Sequence, residues 1–258
     1  MTVERIQYLT DFDTNSGVTE DFTSFHEESP SVKVESGQYI EKDIGQMTNF
    51  AMAAWVNFSN IDNGKLRILL GTNASGIGKA IDFTMSAAGW KVQYVEIASH
   101  TGVPSSIDQE AEFKRRGFEF YSNKYYKVLV YLSGGTLTVK FDGKPALHIT
   151  NYVPTGTLWG LSGRDSFSYV NVSDIRVYEN QVFYGNVNIN GIHQGDQGRV
   201  RMYDQTFYTI VEDVECDSSG NYMIFLEDDP LSLNKYFMIG YVDNRKDIQP
   251  RGVANITL

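Results

Sequence analysis

The sequence predicts an all-β protein whose main architecture is a two-sheet sandwich or jelly roll. Three observations predict it. Apolar residues alternate with period two in many short segments at near-regular spacing. Aromatic residues make up 13% of the chain, with 16 Tyr and 15 Phe, a composition that suits pleated strands better than helices. Helix signals are confined to Ser106–Arg116, where Ser106 is placed to cap and Gln109 sits at the reciprocal capping-box position. At 258 residues the chain could be one large β domain or two ordinary ones, and it is long enough to bury a core.

The strongest element is Tyr125–Phe141, in which Tyr126, Val128, Val130 and Leu132 share one face, as do Leu137, Val139 and Phe141 on the second arm. Gly134-Gly135 supplies the positive φ angles of a tight hairpin turn, and Asp142-Gly143 repeats that chemistry, so three antiparallel strands follow as a meander. Upstream, Val3–Phe12 opens as a strand and runs into the turn-forming cluster Asp11–Gly17. Ser31–Ile40 reads as one short strand. Phe50–Phe58 puts Phe50, Met52, Ala54, Val56 and Phe58 on one face and Trp55 on the other, as expected of a central strand covered on both sides. Leu66–Leu70, Ala80–Met85 and Trp90–Ile97 continue the series, and after the meander come Thr157–Gly163 and Val170–Tyr178. From Phe183 the strands shorten: Tyr184–Ile189, Gly198–Tyr203, Phe207–Val214, Gly220–Leu226 and Tyr236–Val242. No Pro/Gly/Ser linker marks the change at Glu179–Phe183, so two abutted domains are expected, 1–180 and 181–258.

The first stretch resembles the laminin-G/concanavalin-A-like lectin superfamily. The resemblance rests on the Trp-containing strand Phe50–Phe58, Ile68-Leu69-Leu70-Gly71, Ala80-Ile81-Asp82-Phe83, Tyr126–Val130, Val139–Lys144 and the closing Asp174-Ile175-Arg176-Val177-Tyr178. It implies a concanavalin-A-like jelly roll over 1–180. Tyr125 and Tyr126 stand where many relatives carry Trp. The last 76 residues, through Arg199-Val200-Arg201-Met202-Tyr203-Asp204, Asp217–Phe225 and Lys235–Asp243, resemble the small prealbumin-like sandwich of carboxypeptidase regulatory domains. Versions with that Arg-Val-Arg strand occur in bacteriophage structural proteins. The resemblance implies a prealbumin/Ig-like β-sandwich over 181–258.

Composition excludes several function classes. A formal charge of −10 with no basic stripe opposes a nucleic-acid groove. One cysteine, Cys216, rules out an intramolecular disulfide framework and Cys-based zinc fingers. No apolar run of transmembrane length occurs, and Met-Thr-Val-Glu-Arg-Ile lacks the pattern of a secretion signal, so synthesis and folding in a cytoplasm are expected.

No catalytic constellation stands out. The nearest match to a glycosidase carboxylate strand, Asp213-Val214-Glu215-Cys216-Asp217, has the wrong order, and an exposed acidic strand face explains it. His26, His100, His148 and His193 are scattered, and no Gly-x-Ser-x-Gly occurs. Gly76-Ile77-Gly78 begins a dinucleotide-like pattern, but Ile81 occupies the third glycine's place. Asp11, Asp13 and Asn15 imitate the start of a calcium loop, and an Asx-rich turn explains the same residues. No other cofactor is indicated. Sugar binding needs aromatic platforms with polar acceptors beside them. Trp90, Tyr152 and Trp159 near strand ends are the candidate platforms, with Arg115 and Arg116 a local basic spot.

These readings point to a non-enzymatic bacteriophage virion protein, a decoration, fibre or tail-adhesion component. The jelly roll would contact glycan or the host surface, and the partners would be other virion proteins and further copies of the chain, with no nucleic acid and no membrane. The alternative is a carbohydrate-binding module working with a carbohydrate-active enzyme. The apolar end Val253–Leu258 is expected to add as a strand to a neighbouring sheet.

Overall fold

The computed structural model describes residues 3–6, 8–27, 29–45, 49–86, 89–114, 121–164, 169–179, 182–189, 192–193, 198–204, 210–216, 219–225, 236–242 and 253–254. The chain divides into two compact units, Thr2–Glu179 and Asn180–Leu258. Both are built from strands, and the one helical element among the described residues is a single 3-10 turn, Leu9–Asp11.

The first unit runs β1 (Val3–Ile6), β2 (Thr14–Asn15), β3 (Thr19–Asp21), β4 (Ser31–Val34), β5 (Tyr39–Asp43), β6 (Asn49–Phe58), β7 (Lys65–Thr72), β8 (Gly78–Ser86) and β9 (Gly89–Ile97). It continues with β10 (Ser106–Lys114), β11 (Tyr125–Ser133), β12 (Thr136–Phe141), β13 (Lys144–Ile149), β14 (Leu158–Gly163) and β15 (Val170–Glu179). Two antiparallel sheets form a jelly-roll sandwich. One has eight strands, ordered β13-β12-β11-β6-β15-β4-β3 with β1 also on β15, and the other seven, ordered β10-β9-β8-β7-β14-β5-β2. The meander of β11, β12 and β13 is present, and its turns place Gly134, Gly135, Asp142 and Gly143 at φ between 48° and 77°. Both turns therefore have the positive central pair that matches strand twist.

Alternation fills the core. Met52, Val56, Val128, Val139 and Val172 from one sheet and Ile68, Ile81, Phe83, Val92 and Leu161 from the other share a single buried cluster. Its aromatic centre is Phe141, with Trp90 at 4.2 Å, Tyr126 at 5.7 Å and Phe83 at 5.8 Å between ring centroids.

Two expectations differ from this architecture. Ser106–Arg116 is no helix: its first nine residues form β10, an edge strand on β9 with a bulge between Ile107 and Gln109. Along the ladder Lys91 bridges Glu110 and Glu112 while Lys79 holds Asp108. Ser31–Ile40 is two strands in different sheets, because Gly37 at φ +77° turns the chain from β4 into β5. In the second unit, Val253–Ala254 pairs with Ile239 and Met238 of its own chain at the edge of a sheet, and the rest of Val253–Leu258 lies outside the described residues.

The second unit is described by β16 (Val182–Asn186), β17 (Asn188–Ile189), β18 (Ile192–His193), β19 (Gly198–Asp204), β20 (Ile210–Glu215), β21 (Asn221–Phe225), β22 (Tyr236–Val242) and β23 (Val253–Ala254). Four form a sheet ordered β20-β19-β22-β23, while β16 pairs with β21 and β17 with β18. Val187, Val200, Met202, Cys216, Ile224 and Met238 make its small core.

The outer face of the seven-stranded sheet is also covered. Leu69, Ala80, Val95 and Ile97 form a second apolar cluster there, and beside it the cross-strand partners Arg67 and Asp82 pair bidentately at 2.6 and 2.9 Å. Nη1 of Arg67 donates to the carbonyls of His100 and Gly102, so the segment between β9 and β10 lies across this face and satisfies a fully buried guanidinium. Arg164 adds a 2.6 Å contact to Asp82. His100 stacks on Tyr39 at 3.9 Å and places Nε2 2.9 Å from Glu41, whose carboxyl burial holds above the usual range despite that neighbour. Removing one partner of a buried, hydrogen-bonded pair leaves an uncompensated charge. Arg67→Ala is therefore expected to lower unfolding free energy by about 3–5 kcal/mol in urea denaturation, whereas truncating the solvent-screened Lys91 should leave the urea midpoint close to the parent's.

Candidate functional site

The outer face of the eight-stranded sheet is built differently. Because Tyr126, Val56, Val172 and Val32 point inward, their neighbours along each strand point out. Register then sets Tyr125, Asn57, Asn171, Lys33 and Thr19 in one row across five strands. Lys127, Trp55 and Ser173 form the next row. The segment joining β3 to β4 crosses this face. It lays His26 flat on Trp55, with ring centroids 3.8 Å apart and planes at 12°, while Tyr125 meets the imidazole edge-on at 5.8 Å. The backbone N–H of His26 donates to Oγ of Ser173 at 3.1 Å and so pins the segment.

Polar groups surround the rings. Asp21 accepts from the hydroxyl and amide of Thr23 at 2.6 and 2.8 Å, from the Ser24 amide at 3.2 Å and from Asn171 at 3.1 Å. The Thr23 hydroxyl bond, aided by the others and opposed by partial burial, holds the Asp21 carboxyl below its ordinary range. Nδ2 of Asn57 donates to Oγ of Ser24, which also lies 3.3 Å from the Tyr125 hydroxyl. Burial pushes the Tyr125 phenol up. On the same segment Phe22 and Phe25 are 64% and 39% exposed. The arrangement offers aromatic rings beside a carboxylate at one surface, while the amides of Asn57 and Asn171 are buried beneath it and hold Ser24 and Asp21 in place.

Trp90, Tyr152 and Trp159, the platforms expected from the sequence, are core residues. Trp90 is 2% exposed against Phe141, Trp159 is fully buried and stacks on Phe12 at 6.3 Å, and the Tyr152 hydroxyl donates to the Leu70 carbonyl at 2.9 Å. A position near a strand end does not expose a ring whose alternation phase points inward: Trp90 shares its face with Val92 and Tyr94, and Trp159 with Leu161. Arg115 and Arg116 lie outside the described residues. Of the three tryptophans, Trp55 alone escapes the core. Its signal was its phase, opposite to that of Phe50, Met52, Ala54, Val56 and Phe58.

The calcium candidates are engaged locally. Asp11 accepts from the Tyr8 amide at 2.8 Å across the 3-10 turn, and Asp13 from the Asp43 amide at 2.8 Å. Oδ1 of Asn15 takes the amides of Gly17 and Val18 at 3.0 and 2.8 Å, an Asx turn. Among the described residues, the ligating side chains that do converge are His26, Glu27 and Asp174, whose donor atoms lie within 4.8 Å of one another. In the second unit Asp213 accepts from Arg199 and Arg201 at 3.0 and 2.7 Å, and Glu215 from Arg199 at 2.6 Å. Burial works to raise the Asp213 carboxyl, yet the two arginines hold it below the usual range.

No family model matches the sequence, and a search of curated proteins gives no match. Solved structures similar in fold include a carbohydrate-binding module, CBM66 from Bacillus subtilis, with TM-score 0.46 and 11% identity over 63% of this chain and 92% of that one. The cellulose-induced protein Cip1 aligns at TM-score 0.45 and 15% identity over 68% of this chain and 91% of its own. Sheep galectin-11, in complex with glycerol, aligns at TM-score 0.39 and 11% identity over 54% of this chain and 96% of its own.

The lowered Asp21 carboxyl carries a pH consequence. A depressed folded-state value contributes stability that is present above about pH 4 and lost as pH falls through the lowered value. Asp21→Asn is expected to destabilise the protein at pH 7 and to flatten its acid limb, read as urea midpoints between pH 2.5 and 7.

Proposed function

We propose that the first unit is a non-catalytic glycan-binding module that takes sugar on the outer face of its eight-stranded sheet. One observation carries this reading: Trp55 is the tryptophan outside the core, His26 stacks on it and meets Tyr125 edge-on, and the segment that carries His26 exposes Phe22 and Phe25 just after Asp21. A pyranose has apolar C–H faces that pack on rings and equatorial hydroxyls that donate to fixed acceptors, so binding it needs both kinds of group at one place. Support for binding without turnover comes from the carboxylates. Hydrolysis needs a general acid held protonated at neutral pH opposite a second carboxylate, whereas Asp21 on this face is held below its ordinary range and the raised carboxyl of Glu41 is buried on the other sheet.

We further propose that this module serves a bacteriophage virion as an adhesion, fibre or decoration component, made in the host cytoplasm and assembled in several copies. The support is the resemblance of the second unit to prealbumin-like domains of phage structural proteins. Its Arg199–Asp204 strand is central in a four-stranded sheet, with Arg199 and Arg201 paired to the acidic face of β20. A module attached to a carbohydrate-active enzyme would use the same surface, and peptide mapping of purified particles separates the two readings: absence from every virion fraction sinks the first.

The glycan reading is tested on an array, followed by affinity electrophoresis of any ligand found. Trp55→Ala is expected to weaken binding at least about tenfold, a loss of about 1.4 kcal/mol, with a thermal transition close to the parent's. Failure to retain any glycan, or full binding by Trp55→Ala, would overturn it.

A further inference from the structure

The contact between His26 and Asp174 is of an unusual length. Nδ1 of His26 is buried and makes no hydrogen bond, and it faces Oδ2 of Asp174 at 3.6 Å. That separation is too long for an N–H···O bond. It is close to the spacing of two ligand atoms on a tetrahedral metal: with metal–N and metal–O bonds near 2.1 Å, the donors stand about 3.4 Å apart.

Each partner is held from outside the pair. Trp55 fixes the imidazole plane by stacking, and the backbone bond to Ser173 fixes the segment next to Asp174. Asp174 sits on the bulge where β15 shifts register against β6, at φ +55°, and its side chain is 1% exposed. The bulge re-aims this carboxylate out of strand alternation and toward the ring. Glu27 follows His26 directly, and its exposed side chain brings a second carboxylate within reach of both. Arg176 now spans the acids, 3.3 Å from Oδ1 of Asp174 and 3.5 Å from Oε2 of Glu27.

We propose that His26, Asp174 and Glu27 form a binding site for a divalent cation of the Zn2+ or Mn2+ class, with water completing the coordination. One imidazole and two carboxylates suit a borderline cation better than Ca2+, which favours an all-oxygen shell. Arg176 offsets one negative charge and must swing off the acids for the cation to enter. The bound ion would lock the β3–β4 segment to β15 and hold the imidazole against Trp55. This inference rests on the pair's geometry and not on the glycan reading, and its test contains no sugar.

The experiment is calorimetric titration of the full chain, dialysed against EDTA and then metal-free buffer at pH 7, with Zn2+, Mn2+ and Ca2+ in separate arms. Expected is one site for Zn2+ or Mn2+ at about 1 μM or tighter, with the melting temperature raised by several degrees at saturation. His26→Phe keeps a ring on Trp55 without the ligand nitrogen, and Asp174→Asn keeps a residue that tolerates positive φ. Both are expected to weaken binding by about 100-fold, and their melting curves without metal report whether they fold. Arg176→Gln is expected to bind the ion more tightly. Absence of saturable Zn2+ or Mn2+ binding, binding of Ca2+ alone, or parent-like affinity in either ligand variant with a parent-like melt would overturn the proposal. If His26→Phe does not fold, the affinity of Asp174→Asn decides.

Discussion

Burial of alternate side chains between two facing sheets is the constraint on which the rest of the first unit depends. Each strand commits one phase to the shared core, where Phe141 meets Trp90, Tyr126 and Phe83 and where Trp159 meets Phe12. The hydrophobic gain scales with the apolar area withdrawn from water, and large rings withdraw the most. The other phase of every strand is left for an outer face, and the two sheets use theirs in opposite ways.

On the seven-stranded sheet the outer phase is covered. The segment between β9 and β10 lies over Arg67 and accepts two of its hydrogen bonds through the carbonyls of His100 and Gly102. Ser162 donates to the same His100 carbonyl at 2.8 Å, and the His100 imidazole reaches Glu41. Burying a guanidinium is tolerable when its donors find carboxylate and carbonyl oxygens in low-dielectric surroundings. These charges therefore organise a lid and leave little surface for a ligand. Gly76 belongs to this arrangement: a Cβ there would stand 2.6 Å from the His100 backbone nitrogen. Gly78 is packed likewise, since a Cβ there would stand 3.1 Å from Cα of Thr72.

On the eight-stranded sheet the outer phase stays partly open around Trp55. A crossing segment supplies His26, Phe22 and Phe25 without sealing the surface, and a bulge adds Asp174. Aromatic rings supported by a rigid sheet lose little freedom on binding, which favours recognition. The second unit handles its outward charges by cross-strand pairing, as the register Arg199↔Glu215 and Arg201↔Asp213 turns an acidic strand into a neutralised one. Its carboxylates are thereby committed to the fold.

The sequence by itself determined what depends on neighbours along the chain. Alternation in Phe50–Phe58, Tyr125–Phe141 and Val170–Tyr178 specified strands and their inward faces, and Gly134-Gly135 and Asp142-Gly143 specified the turns of the meander. The same local logic misread Ser106–Lys114, because capping residues at an edge strand mimic a helix start while the pairing partner, β9, is supplied by the fold. It also sought platforms at Trp90, Tyr152 and Trp159, whose phase had already committed them to the core. Trp55 was legible as the ring of opposite phase, but whether that face was covered was not, since cover comes from distant segments. Only tertiary structure brought His26 to Ser173 and Asp174, nearly 150 positions away along the chain. A hydrogen bond between remote segments and a bulge that shifts one strand by a residue leave no periodic trace, so the surface they build is decided by the packed fold alone.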